Sequence, residues 1–150
     1  MKKTFCKLFS LLAVLVLTLS VSLPVACAVE ERASYYFAGT DAVAYAEDNG
    51  RIYIEADALA TDIMDVIGVE SITVYEKQSD GYYDPVYTYD SSNTSGMTRT
   101  NNYEHFKSVT YRGTIGKQYY ARIVFYAEND EGYETLTCRT NVVTAVAVEA

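Results

Sequence analysis

Three groups of residues in this sequence carry side chains able to do chemistry. The first is Glu128, Asp130 and Glu131, which crowd together just before Gly132. Calcium takes about 6–8 oxygen ligands, typically carboxylates at alternating loop positions with a bidentate acid closing the loop. Side chains at the tip of a hairpin diverge, and Gly132 is followed by Tyr133, so a solvated turn explains the acids better than a metal site does. The second group is His105 with Cys138. His105 is the only histidine, so any serine or cysteine nucleophile with a histidine base would have to use it. It sits beside Phe106 with no glycine-rich elbow nearby, and one histidine and one cysteine fall short of a zinc ligand set. Carboxylates are plentiful, but a glycosidase pair needs a cleft that a small domain without long loops does not supply. No phosphate-cradling glycine loop is present. The expectation is a protein with no catalytic residues, no metal and no cofactor.

The third group is tyrosine, with 15 in the chain and no tryptophan. Tyr82, Tyr83, Tyr87 and Tyr89 cluster in one predicted hairpin, and Tyr87 and Tyr89 share a face. Exposed tyrosines stack on sugars or anchor protein partners, because they offer rigid amphipathic area. These four are the candidate binding residues. Against them stands the plain fact that tyrosine suits a half-wet strand.

The elements that must position these groups are strands, because apolar residues recur mostly at period two. Val43 and Tyr45 alternate with Ala44 and Ala46 before an Asn49-Gly50 turn, a strong hairpin signal. Ile52, Ile54, Ala56 and Ala58 then form one face of a strand. The stretch TDIMDVIG has helical spacing, with Thr61 or Asp62 as cap and Gly68 as stop, and predicts one helical turn. Strands follow over 71–77 and 83–89, joined at Ser79, Asp80 and Gly81; residues 90–102 read as a long loop, more a link than a site. A strand from His105 ends at Gly113. Another places Tyr119, Ala121, Ile123, Phe125 and Ala127 in phase, and a last runs from Glu134 to Thr140 and towards Val146. Leu136 and Cys138 share a face of that last strand, which predicts a buried, inert thiol. About seven strands at this spacing predict an all-β, two-sheet sandwich.

The N-terminus sets the compartment. Lys2, Lys3 and Lys7 precede an uncharged apolar run from Leu8 to Leu23, then Pro24 and Ala26-Cys27-Ala28, the order of a secretory signal peptide over residues 1–28. A lipidated Cys27 is the alternative, but Pro24 stands where such signals carry a branched aliphatic residue. Cleavage after Ala28 leaves one domain, residues 29–150, with 9 Lys and Arg against 20 Asp and Glu, a net charge of −11. That charge disfavours nucleic acid and anionic membrane surfaces as partners. With Cys138 the only cysteine after the signal, stability must come from the core and not from an internal disulfide.

The run Tyr119, Ala121, Ile123, Phe125, Ala127, Asn129 and Gly132 resembles the end of a fibronectin type III or immunoglobulin-like sandwich. There a corner tyrosine, here Tyr119 or Tyr120, starts the penultimate strand. The pattern VYEK, a turn, PVYTY, a Ser/Thr/Gly loop and SVTYRGTIGKQYYARIVFYAEN also resembles small single-domain secreted proteins of Gram-positive anaerobes, of the domain-of-unknown-function type. That resemblance implies secretion and a sandwich and carries no activity. The expected function is therefore that of a secreted, monomeric, non-catalytic binding module for an extracellular protein or glycan, with a carbohydrate-binding module using surface tyrosines as the alternative.

Overall fold

The structure, a computed structural model, describes residues 34–148; the predicted signal peptide and Cys27 lie outside the described residues. The all-β expectation holds. Seven antiparallel strands are present: β1 (Phe37–Glu47), β2 (Arg51–Lys77), β3 (Tyr83–Asp90), β4 (Thr98–Arg112), β5 (Gln118–Asn129), β6 (Gly132–Arg139) and β7 (Val143–Thr144). The Asn-Gly signal is realised between β1 and β2, where Asn49 and Gly50 both adopt positive φ, 62° and 71°.

β2 joins two of the predicted strands and the segment between them into one run of 27 residues. Its first part pairs with β1 on one edge and β4 on the other, and its last part with β5 and β3. β6 adds to β5, and the short β7 pairs with the beginning of β5.

The expected helical turn over TDIMDVIG is absent, and the residues lie within β2. Two slips of phase imitate a helical period there. The register with β4 jumps from Leu59↔Glu104 to Met64↔Asn102, so four residues of β2 oppose Tyr103 alone. With β5 it steps from Val69↔Phe125 to Ser71↔Val124, leaving Glu70 extra. Such bulges bend a strand and turn its faces. The buried positions accordingly run Ala58, Ala60 and Met64, then Ile67 and Val69, then Ile72 and Val74.

The loop expected over 90–102 is also shorter, because β4 begins at Thr98 and Thr98 to Thr100 pair with Gly68 to Val66. The remaining turn is tied down: Asn93 Nδ2 donates to the Thr88 carbonyl at 2.9 Å, Lys107 Nζ to the Ser95 carbonyl at 2.7 Å, and the Val69 amide to the Met97 carbonyl at 2.8 Å. Gly68 makes that closure possible, since a Cβ there would lie 2.4 Å from the Met97 oxygen.

One core takes side chains from both parts of β2, with Ile52, Ile54, Ile72, Val74, Ile123 and Phe125 fully enclosed. β1 is fixed to the far end of the chain by Asn141, whose side chain accepts from the Ala44 amide and donates to the Ala44 carbonyl, both at 2.9 Å. The predicted single last strand breaks here: β6 ends at Arg139, and Thr140 turns inward to accept from the Ala121 amide at 2.9 Å.

Of the two candidates for the corner, Tyr119 is the buried one. Its hydroxyl accepts from the Thr114 amide at 2.8 Å and donates to Glu76 Oε2 at 2.5 Å. Lys117 Nζ approaches the other oxygen of Glu76 at 3.5 Å. Burial, then the Glu76 hydrogen bond, raise the phenol pKa, so the hydroxyl keeps its proton. The ring lies against Gly113, where a Cβ would come within 2.6 Å of it.

Tyr119→Phe strands the Thr114 amide and one Glu76 oxygen, and is expected to cost about 1–3 kcal/mol. Tyr120→Phe is expected to stay within about 0.5 kcal/mol of wild type. Urea unfolding of the two variants side by side is the check, and equal midpoints would remove the corner's role.

Candidate functional site

The four sequence-chosen tyrosines do not form one surface. Tyr82 is in the turn before β3 and is 75% exposed. The register of β2 with β3 steps from Val74↔Tyr87 to Tyr75↔Pro85, so Val86 is an extra residue that reverses the phase of β3. Tyr87 and Tyr89 consequently lie opposite Val74 and Ile72, whose side chains are fully buried, and so point to the core side at an open edge. Their ring centroids are 4.7 Å apart, Tyr87 packs near Tyr111 at 6.3 Å, and Tyr111 reaches Tyr119 at 5.7 Å. Tyr89 donates to the Thr110 carbonyl at 2.9 Å. This pair closes the gap between β3 and β4.

Tyr83 is on the opposite face, together with residues that the composition-based reading passed over. Tyr75 of β2 and Tyr120 of β5 are paired in register and their rings stack 4.9 Å apart at 5°. Tyr83 meets Tyr120 edge-on at 5.0 Å. The guanidinium carbon of Arg139 lies 3.7 Å from the Tyr120 centroid, and that of Arg122 lies 5.5 Å from the Tyr75 centroid. Because β5 runs between β2 and β6, Tyr75 and Arg139 cover Tyr120 from its two sides. Further along the face, Tyr126 and Tyr133 stack at 6.0 Å, and Tyr126 donates to Glu128 Oε2 at 2.6 Å. That bond, with smaller help from burial and neighbouring charge, pushes the Tyr126 phenol up to about 12.

The two arginines are in direct cross-strand register, Arg122↔Arg139. Like charges placed directly opposite each other in a sheet are destabilising. Among the described residues the ion pairs are Arg51–Glu47 and Lys117–Glu76, and neither Arg122 nor Arg139 takes part in one. The carboxylates near this face are Asp90, which accepts from Ser92, Glu128, which accepts from Tyr126, and Glu70 beside Tyr126, and none of them pairs with either arginine. A guanidinium stacked on a ring keeps its in-plane N–H donors free. The face therefore presents fixed, unneutralised donors on a strongly acidic protein.

The other chemistry-bearing residues go elsewhere. His105 is on the core face, 7% exposed, with Nε2 unpartnered, beneath Gly68. Burial lowers its pKa, the carbonyls of Gly96 and Met97 oppose this, and the charges of Arg99 and Lys107 add to it. Cys138 is half-buried, less enclosed than expected, with Sγ 3.2 Å from Thr40 Oγ1. Glu128 to Gly132 form the tip of the β5–β6 hairpin, where Asn129 Oδ1 accepts from the Glu131 amide at 3.0 Å and Asp130 and Glu131 are exposed. Two open hollows of about 440 and 390 Å³ share Asp57 and Glu104 on the outer side of the first part of β2. Both acids are exposed, whereas a general acid and a nucleophile need unlike surroundings.

The buried imidazole yields a pH prediction. Its folded pKa lies below the ordinary value of about 6.5. Above that pH both folded and unfolded states hold it neutral, and below it the unfolded chain takes up the proton first. Stability should fall as pH drops below about 6.5 and level off below the folded pKa. Urea midpoints measured across that window should show the slope in wild type and a shallower one in His105→Asn; identical slopes would overturn the assignment.

Compared with known proteins, the chain matches no family and no curated sequence, so the ligand of the arginine–tyrosine face has to be argued from its own chemistry.

Proposed function

We propose that the protein is a secreted, non-catalytic binding module with an immunoglobulin-like or fibronectin type III-like sandwich fold, and that it binds through the arginine–tyrosine face. The strand pairings support the fold reading. Dividing β2 at its bend gives one group, β1, β2 and β4, and another, β3, β2, β5 and β6, with the β5–β6 hairpin last. The Tyr119 hydroxyl, bonded to an amide five residues upstream, is similar to the tyrosine corner of such sandwiches and supports the reading.

The observation that carries the binding reading is the pair Arg122 and Arg139, held side by side on tyrosine rings without a counter-charge. Departures from favourable local pairing concentrate where function requires them. Carbohydrate binding by surface tyrosines remains the second reading and is favoured by Tyr133, 69% exposed on an edge strand. Tyr87 and Tyr89 serve it poorly, because they face the core side of the bulged strand.

Secretion follows from the N-terminal pattern, and sequencing the exported chain is expected to return Val29 as the first residue. A lipidated Cys27 at that position would overturn soluble release. For binding, wild type is compared with an Arg122→Ala, Arg139→Ala double variant on glycan and extracellular-protein arrays, with Tyr45→Ala on the other sheet face as control. Ligands of the wild type should be lost by the double variant, by about tenfold or more, and kept by the control. Ligands kept by both variants would move the site off this face, and no ligand on either array would count against a binding module.

A further inference from the structure

We propose that the arginine–tyrosine face takes a carboxylate-bearing polysaccharide, with a carboxylate held between Arg122 and Arg139 and a sugar ring farther along the same polymer against Tyr133. The inference rests on reading this face as the binding surface. Charge complementarity selects the acid. Two guanidiniums in register repel each other in the free protein, and an anion between them converts that repulsion into two charge-assisted attractions. Stacking on Tyr120 and Tyr75 fixes the orientation of both forks before a ligand arrives, which suits planar carboxylate recognition.

Ring geometry decides where a sugar can stack. Tyr120 is covered by Tyr75 and Arg139, so neither of its faces is free. Tyr133 is on the edge strand β6, has Tyr126 on one side only, and is largely exposed. Along β6 it is six residues from Arg139, roughly 20 Å at strand rise. A ligand using both points must be extended and repetitive, as a polysaccharide is.

Between the two points the exposed side chains are hydroxyls. Thr135 and Thr137 alternate down β6, with Tyr126 and Val124 of β5 opposite them, and Thr73 with Thr88 extends the row of the arginines on its other side. An acidic peptide would rather add to a strand edge, where unpaired backbone groups give it main-chain hydrogen bonds. The guanidiniums and hydroxyls of this face stand out of the sheet and not along the open backbone edge of β6, so they suit a hydroxyl-rich, acidic polymer laid across the face, whereas a peptide would pair with that edge.

Affinity electrophoresis and titration calorimetry with polygalacturonate, alginate and hyaluronan test the proposal. Fully methyl-esterified polygalacturonate, dextran and polyglutamate provide the contrasts. At least one uronate polymer should bind, more weakly as salt rises. Esterification or the Arg122→Gln, Arg139→Gln double change should cost about tenfold or more, and Tyr133→Ala several-fold. The double variant should unfold at a urea midpoint close to that of wild type, since the change removes a like-charge pair together with two ring-stacked guanidiniums. Equal affinity for the methyl ester, or binding to dextran alone, would overturn the acidic class and leave a carbohydrate module. Polyglutamate bound as tightly, with Tyr133→Ala without effect, would overturn the polysaccharide in favour of an acidic protein. No binding to any probe, with a protein ligand found on the arrays, would overturn this inference alone; no ligand in either experiment would overturn the binding module with it.

Discussion

The continuity of β2 is the constraint on which the structure depends. A straight strand of 27 residues would extend roughly 90 Å, far beyond what one small core can cover. It must bend, and the bend is made by inserting residues opposite β4 and β5 and by Gly68, whose lack of a side chain admits the Met97 carbonyl. Once bent, the same strand supplies Ile52 and Ile54 from one end and Ile72 and Val74 from the other to a single core. Every other long strand except β6 pairs with it, so the registers of β1, β3, β4 and β5 are all referred to one chain segment.

That arrangement sorts the tyrosines by parity. Tyr119 serves the corner, with its hydroxyl between the Thr114 amide and Glu76. Tyr87, Tyr89 and Tyr111 fill the edge between β3 and β4, where an aromatic ring covers apolar area and a hydroxyl can still reach a carbonyl or water. Tyr75, Tyr83, Tyr120, Tyr126 and Tyr133 are left for the outer face. With no tryptophan in the chain, tyrosine performs the corner, the edge seal and the surface alike.

On that surface the local rules of sheet pairing are kept everywhere except at Arg122 and Arg139. Thr73 faces Thr88 and bonds to it, and Tyr75 faces Tyr120 and stacks on it, both favourable cross-strand pairs. Like charges are also in register at Asp41 and Asp57, Glu76 and Asp84, and Arg51 and Arg112, but Arg51 and Glu76 each have an ion pair, whereas Arg122 and Arg139 have none. Glu128 lies on the same face and is instead spent on Tyr126.

Much of the fold was legible in the sequence because strand formation is a local, period-two property. The amphipathic run from Tyr119 to Ala127, the Asn49-Gly50 turn and the β5–β6 hairpin were all readable, since each depends on neighbours within a few residues. The segment 61–67 was misread as helical because two bulges shift the burial phase, and a bulge is set by the partner strand and not by the bulged one. The same reason hid the arginine–tyrosine face. Tyr87 and Tyr89 share a face as their spacing predicts, but the extra residue Val86 sets that face on the side of Val74 and Ile72, with Tyr87 still 45% exposed at the edge. Arg122 and Arg139 are 17 positions apart in sequence, and only the register of β5 with β6 makes them neighbours. The sequence by itself determined the all-β class and the apolar face of strands that keep an unbroken period of two; tertiary pairing decided where bulges shift that period, which strands adjoin and in what register, and so which side chains share a surface.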